Sequence, residues 1–300
     1  MPAALDYVDR VNGAIDHVLR HLDEALPLER VARAANFSPY HFHRIFRSLV
    51  GETLAQFVKR VRLERALKIL SHQPEKSLTE ISLACGFSSS SDFSRSFKQR
   101  FGVPPSAFDV SGFRAARREE FESFGGPDQR HLLRGLAAGE NPDGFEVTMR
   151  RVPPRTVAYI RVMDPYRPAV VMDAAARLVE WAERKGLADG QWLGYMWDDP
   201  EIVAKEHCRY DVGLVVQQCE AEGEIGCLKF PALNVAEVEL RGGIDLEMRA
   251  LDWIWRSWLP ASGFVPTDHP SFESWIGRPF GHGDSHFELR LQLPVERPLG

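Results

Sequence analysis

Apolar residues recur every three or four positions through most of the first 110 residues, and this spacing predicts a run of helices. The capping sequence at Thr53 predicts that a long helix begins there, and the apolar spacing carries this helix to about Leu70. No alternating stretch typical of a strand interrupts this part, so it is predicted to be all-α. The apolar positions that predict the first helix are Leu5, Val8, Ile15, Val18 and Leu22.

The apolar pattern of the helical part occurs twice. The segment 28–37 is matched 50 residues later by the segment 78–87, and Arg44 is matched 51 residues later by Arg95. Each copy reads as a short helix, a turn at Asn36 or Gly86, and a second helix opened by serine. We therefore predict two helix-turn-helix motifs, spaced by the long helix so that they read two adjacent turns of one DNA duplex.

The second helix of each motif is predicted to bury one face and leave the other in solvent. Phe42, Ile45, Phe46 and Leu49 share the buried face of the first, and Phe93 and Phe97 that of the second. The outward residues are Tyr40, His43, Arg44 and Arg47 in the first, and Ser90, Ser91, Ser94 and Arg95 in the second. His43 is equally consistent with a phosphate contact or with water, and the serine run with a simple cap.

The segments Phe37–Arg47, Arg62–Ala66 and Ala84–Pro105 resemble the AraC/XylS family of transcription regulators. The resemblance covers about the first 110 residues and includes the closing pattern Phe-Lys-x-x-Phe-Gly-x-x-Pro. It implies that the outward residues of both second helices contact DNA. Arg44 and Arg95 are the strongest candidates, because a guanidinium can donate two hydrogen bonds to guanine. An activator that acts with RNA polymerase is the expectation, with repression as the open alternative, and the choice between monomer and dimer is left open.

The charge is unevenly distributed along the chain. The net charge is −5, but residues 28–108 hold 13 lysines and arginines against 6 acidic residues. The basic repeat region is therefore expected to meet phosphates, and the acidic remainder is not. No stretch is long and apolar enough to span a membrane and no leader segment is evident, so a cytoplasmic location without membrane contact is predicted.

Four cysteines, Cys85, Cys208, Cys219 and Cys227, show no C-x-x-C spacing. They are predicted to be structural thiols and not metal ligands or disulfide partners. The pair His282 and His286 lacks the further ligands that a zinc site needs. No metal and no cofactor are therefore expected.

The part after residue 110 changes character. A polar, glycine-rich linker, partly helical, is predicted over residues 111–143, and a second domain over residues 144–300. Two β-α-β-β rounds indicate a duplicated α+β module, with helices on one sheet face and a groove on the other. The predicted strands are Phe145–Val152, Val157–Val162, Trp192–Trp197, Tyr210–Gln217, Asn234–Leu240, Phe272–Trp275 and Phe287–Leu293, and the predicted helices are Val170–Lys185 and Leu246–Leu259.

Four segments of the second domain resemble the GyrI-like effector-binding domain: Leu193–Glu201, Cys208–Val212, Trp258–Gly263 and Pro270–Trp275. The resemblance implies a groove for aromatic or lipophilic molecules, often cationic, as in multidrug binding, with Glu273 within it. This chain has Trp275 where the family commonly has tyrosine, which leaves the ligand preference open.

The candidate ligand-binding residues are Tyr195, Trp197, Glu273 and Trp275. Aromatic walls with one carboxylate suit a hydrophobic cation, although core packing of the aromatics and a solvated glutamate are the alternatives. Arg209 and Asp211 are expected to form an ion pair with each other.

The two parts together predict a one-component, two-domain regulator that binds double-stranded DNA and senses a small lipophilic effector, and it is not expected to be an enzyme. Two alternatives remain open at this point: a helix-turn-helix protein fused to a hydrolase of lipophilic compounds, and a protein-binding module like a gyrase inhibitor.

Overall fold

The computed structural model describes residues 2–124, 136, 139–167, 169–283 and 285–298. The chain divides into two compact units. The first comprises the residues up to Ala115 together with Ala221–Gly226, and the second comprises Ala116–Glu220 and the residues from Cys227 onwards. Within the described ranges, no helix is both long enough and apolar enough to cross a membrane.

The N-terminal unit contains helices and no strand within its described residues up to Ala115, as predicted. Short polar caps fix where the helices begin: Ser38 and Ser89 cap the second helix of each motif, and Thr53 and Ser77 form the predicted capping boxes. The helices are α1 (Pro2–Arg20), α2 (Leu28–Ala34), α3 (Pro39–Val50), α4 (Leu54–His72), α5 (Leu78–Ala84), α6 (Ser90–Phe101) and α7 (Val110–Phe124), with a 3₁₀ turn at Pro105–Ala107.

The turns of the two motifs adopt the predicted left-handed conformation, with φ of 54° at Asn36 and 77° at Gly86. Gly86 also has no room for a side chain, because a Cβ there would overlap the carbonyl oxygen of Leu22. Arg62 of α4 donates from Nε to that same oxygen at 2.9 Å and from Nη2 to the carbonyl oxygen of Glu24 at 2.6 Å. The middle helix is thereby fixed against the segment that follows α1.

Phenylalanines form the centre of each motif. Phe42 and Phe46 are fully buried on α3, and Phe93 and Phe97 are fully buried on α6. Leu49 departs from the prediction, since 49% of it is exposed. It lies in the last turn of α3, where Val50 and not Leu49 packs against the core that contains Phe42 and Phe46.

The second unit is built on one antiparallel sheet with a helix after the first main strand of each half. The prediction missed two strands, β5 and β7. The elements are β1 (Thr148–Val152), β2 (Arg155–Met163), α8 (Val170–Lys185), β3 (Trp192–Met196), β4 (Arg209–Val216), β5 (Gly226–Phe230), β6 (Leu233–Gly242), α9 (Ile244–Trp253), a π-helical turn (Ile254–Trp258), α10 (Leu259–Ser262), β7 (Val265–Pro266), β8 (Ser271–Trp275) and β9 (Phe287–Glu296).

The strand order β1-β6-β9-β8-β3-β4-β2-β5 shows the predicted duplication. One half is β2-α8-β3-β4 and the other is β6-α9-β8-β9, and the halves meet where β3 pairs antiparallel with β8. Helix α8 packs on β2 and β4, and α9 packs on β6 and β9. The α+β duplicated fold is confirmed, with one leading strand, β1 or β5, added to each round.

The sheet curls strongly. Strands β1 and β2 occupy the first and seventh places in the order, which a flat sheet would separate by about 29 Å. Only residues 153 and 154 join them, and such a link reaches about 11 Å. Residues 231 and 232 join β5 to β6 across the same gap. Leu228 and Phe230 at one edge accordingly pack with Leu233 and Val235 near the other. We call the inner side of this curl the concave face.

Two of the four cysteines differ from the prediction. Cys219 and Cys227 form a disulfide, whereas Cys85 and Cys208 are buried thiols as expected. A tight turn explains the disulfide, because paired backbone hydrogen bonds between Glu222 and Ile225 bring the flanking residues together. The Cα atoms of the two cysteines lie 5.9 Å apart, within disulfide range. Sequence spacing alone does not reveal this turn.

Candidate functional site

Helix α3 presents a polar outer surface made of the predicted residues. Tyr40 is 67% exposed, Arg44 and Arg47 are exposed, and His43 is half-buried. The Arg44 guanidinium lies 5.8 Å from the centre of the Tyr40 ring, so these two side chains share one patch. Phe42 and Phe46 hold the opposite side of the helix in the core, which fixes the direction in which the polar residues point.

Helix α6 presents a smaller outer surface. Ser91 and Arg95 are exposed, and Ser90 and Ser94 are half-buried. The capping residue is Ser89, whose hydroxyl accepts a hydrogen bond from the backbone N–H of Asp92. One member of the serine run, Ser89, is therefore a cap, and the three predicted contact serines lie within the helix.

The arginines of the two outer surfaces lack an acidic partner within the described ranges. Among the residues that the structure describes, no carboxylate forms an ion pair with Arg44, Arg47 or Arg95. Arg60 of α4 shows the contrast, since Glu52 and Glu64 bind its guanidinium at 2.6 Å and 3.1 Å. Arg44 and Arg95 are thus available to a phosphate or a base.

The candidate ligand residues of the second domain lie on two different faces of the sheet. In the pairing of β3 with β8, Gly194 is opposite Glu273 and Tyr195 is opposite Phe272. Residues directly opposite each other share a face, and successive residues alternate. Glu273 and Trp275 therefore lie on one face, and Tyr195 lies on the other.

Trp197 lies on the face of Tyr195, since its Nε1 donates to Asp211 Oδ2 at 2.7 Å and Asp211 is opposite Tyr195. The expectation that all four residues line one groove is wrong. The register between β3 and β8 is the physical reason, because it places Glu273 beside the small Gly194 and on the face opposite the rings of Tyr195 and Trp197. The sequence analysis also expected Glu273 in a groove on the face without helices. This expectation is wrong as well, because the same register turns Glu273 towards the face on which the helices pack.

Glu273 belongs to a cluster beneath the helices, which we call the helix-side cluster: Tyr210, Glu247 and Glu273. The Tyr210 hydroxyl donates to Glu273 Oε2 at 2.8 Å, and Glu247 of α9 forms a side-chain hydrogen bond with Glu273. Gly194 makes room for the cluster, since a Cβ there would overlap the Tyr210 hydroxyl and lie 2.8 Å from Glu273 Oε2. The sequence analysis named only Glu273 of this group.

The helix-side cluster holds protons that exposed carboxylates would release. Burial raises the pKa of Glu273 to about 7, and hydrogen bonds from Tyr210, Glu247 and Trp275 limit the rise. Burial and the facing Glu273 raise the pKa of Glu247 well above its usual range. Two carboxylates in contact cannot both ionise at low cost, so the pair retains a proton near neutral pH.

The aromatic rings on the concave face are part of a packed core. Tyr195 is 1% exposed and stacks on Phe230 with ring centres 4.6 Å apart. Burial also raises the pKa of Tyr195. Trp197 is half-buried and held by its bond to Asp211. On the other face, Trp275 contacts the rings of Phe280 and Phe287.

Two buried ion pairs replace the one that was expected. Asp211 binds Arg161 through Nε at 2.8 Å and Nη2 at 2.7 Å. Arg209 binds Asp198 through the same two nitrogens at 2.7 Å and 2.6 Å. Arg209 and Asp211 are on one strand two residues apart, but each meets a partner from a neighbouring element.

Comparison with known proteins supports the division into two kinds of domain. The family described as "Helix-turn-helix domain" matches residues 31–110, and the family described as "GyrI-like small molecule binding domain" matches residues 145–296. The second match spans half of the chain.

Individual relatives match either domain. The probable transcription factor PqrA of Proteus vulgaris is 34% identical over 90 residues, which are 30% of this chain and 73% of that protein. A DNA gyrase inhibitor of Serratia proteamaculans (strain 568) is 30% identical over 148 residues, which are 47% of this chain and 92% of that protein. The HTH-type transcriptional regulator YbfP of Bacillus subtilis (strain 168) is 29% identical over 145 residues, about half the length of each protein at 48% and 48%.

Proposed function

Because the chain belongs to the family of GyrI-like small-molecule-binding domains and carries an AraC-type helix-turn-helix domain, we propose that it is a one-component transcription regulator. Helices α3 and α6 bind duplex DNA, and the C-terminal domain binds a lipophilic, cationic effector at the helix-side cluster. The output is activation of transcription through RNA polymerase.

The proposal of DNA binding rests on Arg44 and Arg95, which occupy matching positions in the two motifs and form no ion pair with a described carboxylate. Both are exposed on the second helix of a motif, 51 residues apart in the repeat, and neither meets a carboxylate among the described residues. Two arginines of α4 that stabilise the fold have acceptors within it, since Arg60 binds carboxylates and Arg62 binds backbone carbonyl oxygens. A guanidinium held out on such a helix can donate to guanine O6 and N7 in the major groove.

The sensing half rests on the helix-side cluster. Glu247 and Glu273 are 7% and 5% exposed, and no described lysine or arginine neutralises Glu273. Burying carboxyl groups without a cation is costly, so a ligand that supplies the positive charge offsets this cost. Entry of such a ligand requires α9, which carries Glu247, to move away from the sheet. The π-helical turn after α9 is an irregularity of the kind often found at functional sites.

The DNA-binding half is tested by anisotropy titrations of the full chain against duplexes selected from a random pool. We expect binding that weakens steeply between 50 and 200 mM salt, because basic residues that neutralise phosphates release counterions. The same affinity at both salt concentrations, or no enrichment of a sequence in the pool, contradicts the proposal.

The sensing half is tested with two ions of one shape, tetraphenylphosphonium and tetraphenylborate. We expect the cation to raise the melting temperature of the full chain and the anion to have little effect at this site. Glu273→Gln should abolish the shift by the cation while the variant folds and binds DNA normally. An unchanged shift by the cation in Glu273→Gln contradicts a cation site at Glu273.

A hydrolase remains the second candidate, because a carboxyl with a pKa of about 7 beside a tyrosine hydroxyl suits general acid–base catalysis. Product formation from a lipophilic ester, lost in Glu273→Gln, would assign this function. Binding of a lipophile without turnover favours the sensor.

A further inference from the structure

The concave face contains a cavity of about 950 Å³, on the opposite side of the sheet from the helix-side cluster. The short crossover at residues 153 and 154, between β1 and β2, forms part of its wall. Its lining combines an apolar part with several amide and hydroxyl groups. The residues are Arg150, Val152, Pro153, Pro154, Arg155, Thr156, Gln191, Val215, Val216, Gln217, Lys229, Phe230, Glu237, Ser274, Arg290 and Gln292.

The cavity is basic, with four cationic side chains and one carboxylate in its lining. The carboxylate, Glu237, is already satisfied: Arg150 Nε donates to it at 3.2 Å and Gln292 Nε2 donates to it at 2.5 Å. Arg290 donates to Glu239 at 3.1 Å. Arg155 and Lys229 are left, and neither forms an ion pair with any carboxylate in the described part of the chain.

Arg155 is held in an unusual environment. Its guanidinium carbon lies 4.3 Å from the ring centre of Phe272, 5.7 Å from that of Tyr195 and 5.8 Å from that of Phe230. Nε and Nη2 are buried and make no hydrogen bond of ordinary geometry with a described residue, although the Tyr195 hydroxyl lies close enough to the guanidinium to interact with it. Burying such donors unpaired is costly, so the side chain gains free energy when an acceptor reaches them.

Two other arginines of this domain show what the Nε–Nη2 edge of an arginine can bind. Arg161 and Arg209 each use Nε and Nη2 to bind both oxygens of an aspartate. This side-on pair is the strong, bidentate arrangement of guanidinium with carboxylate. The same two nitrogens of Arg155 have no carboxylate partner in the part of the chain that the structure describes.

We propose that the concave-face cavity binds a small organic acid, whose carboxylate pairs with Nε and Nη2 of Arg155 and whose apolar body lies against Phe230 and Val215. A turn of the Arg155 side chain brings the donor edge into the cavity. Lys229 adds a second positive charge at the rim. This site differs from the helix-side cluster in position and in the sign of its ligand, and it does not depend on the proposed function.

A nucleic-acid phosphate is the other anion that a basic cavity could meet. The structure favours the organic acid, because Arg155 is recessed among three aromatic rings. Phosphate contacts with duplex DNA are made instead by side chains that reach out from an exposed surface.

The test is isothermal titration of the full chain with acetate, benzoate, 2-naphthoate and decanoate, and with 2-naphthamide as the uncharged control. We expect at least one of the larger acids to bind and acetate to bind weakest, since it has no apolar body. The amide of 2-naphthoate should bind at least tenfold more weakly than the acid.

Variants locate the site. Arg155→Gln should weaken the acid at least tenfold, and Arg155→Lys should weaken it as well, because lysine retains the charge and loses the paired donors. Arg151→Gln is the matched control, since Arg151 is an exposed cation on β1, the strand that precedes β2 in the sequence, and does not line the cavity.

Several outcomes overturn the proposal. They are failure of all four acids to bind a folded wild-type chain, equal affinity for 2-naphthoate and its amide, and equal losses in Arg151→Gln and Arg155→Gln. Weaker binding of duplex DNA by Arg155→Gln with unchanged acid binding would assign the cavity to nucleic acid. If Arg155→Gln does not fold, Arg155→Lys decides.

Discussion

The Tyr210 hydroxyl occupies the position in which residue 194 would carry a Cβ if it were not glycine. The two residues lie on the paired strands β3 and β4, and the hydroxyl at this point donates to Glu273 on β8. The absence of a side chain at Gly194 therefore allows a buried hydroxyl and a buried carboxyl to meet at the junction of the two halves.

The first prediction concerns Gly194→Ala. The added methyl group should displace the Tyr210 hydroxyl, break its bond to Glu273, and lower the free energy of unfolding by about 1–3 kcal/mol. Urea denaturation of the full chain, followed by tryptophan fluorescence, measures the change. The double variant Gly194→Ala with Tyr210→Phe should recover part of the loss, because the overlapping oxygen is gone. Additive losses would show that the hydroxyl and the glycine are not coupled.

The second prediction concerns the pH dependence of stability. Glu247 and Glu273 have raised pKa values in the folded chain and ordinary values, about 4.3, in the unfolded chain. Protonation then favours the folded state, so this contribution is fully present below about pH 4 and is lost as pH rises through 7. Between pH 5 and pH 8 the loss should be on the order of 1 kcal/mol per pH unit for each proton released.

Denaturation midpoints at pH 5, 6, 7 and 8 measure this dependence. Glu247→Gln supplies a neutral amide in place of the protonated carboxyl and should flatten the curve. Asp245→Asn is the matched control on the same helix, since Asp245 pairs with Arg249 and its pKa is lowered. A wild-type curve that rises from pH 5 to pH 8, or that is unchanged by Glu247→Gln, would contradict the assignment.

The sequence predicts the elements of both domains well, because each depends on local signals. The helix Val170–Lys185 was predicted with its observed bounds, and the capping boxes at Thr53 and Ser77 were both confirmed. Strand β5 escaped prediction because it is five residues long and follows the turn between Cys219 and Cys227.

The candidate ligand site was predicted less well, because it depends on long-range register. Alternation along β3 correctly separates Tyr195 from Gly194, but only the pairing of β3 with β8 decides which of them meets Glu273. A shift of one residue would exchange the two faces. Glu247 and Arg155 carry no local signal, since a glutamate on a helix and an arginine on a strand are usually solvated. Curling of the sheet brings Arg155 to the aromatic rings, and this curl is visible only in the strand order.

The third prediction concerns the disulfide between Cys219 and Cys227. Under denaturing conditions without reductant, a thiol reagent should titrate two of the four cysteines, and after reduction it should titrate all four. Closing this short loop restricts the unfolded chain, so reduction should lower the free energy of unfolding by about 2 kcal/mol. The variant with Cys219→Ser and Cys227→Ser should lose its response to reductant. Four reactive thiols in the oxidised protein would refute the pairing.

The last prediction concerns Arg44 and Arg95. At the best duplex from the selection, Arg44→Ala should cost about 1–3 kcal/mol and relax the preference at one base position, since a bidentate contact distinguishes guanine from the other bases. Arg95→Ala should do the same at a position about one helical turn away, because α4 separates the two motifs. Anisotropy titrations against duplexes with single base changes measure both effects.

Lys76→Ala is the control for this pair, because Lys76 is an exposed cation in the turn before α5 and lies on neither second helix. Lys76→Ala should lower the affinity for all duplexes by a similar, small factor or leave it unchanged. If Arg44→Ala or Arg95→Ala weakens every duplex equally, that arginine contacts only a phosphate, since a backbone contact carries no base information. If both variants relax the base preference at the same position, the two arginines read the same base pair. The two motifs would then not read successive turns of the duplex.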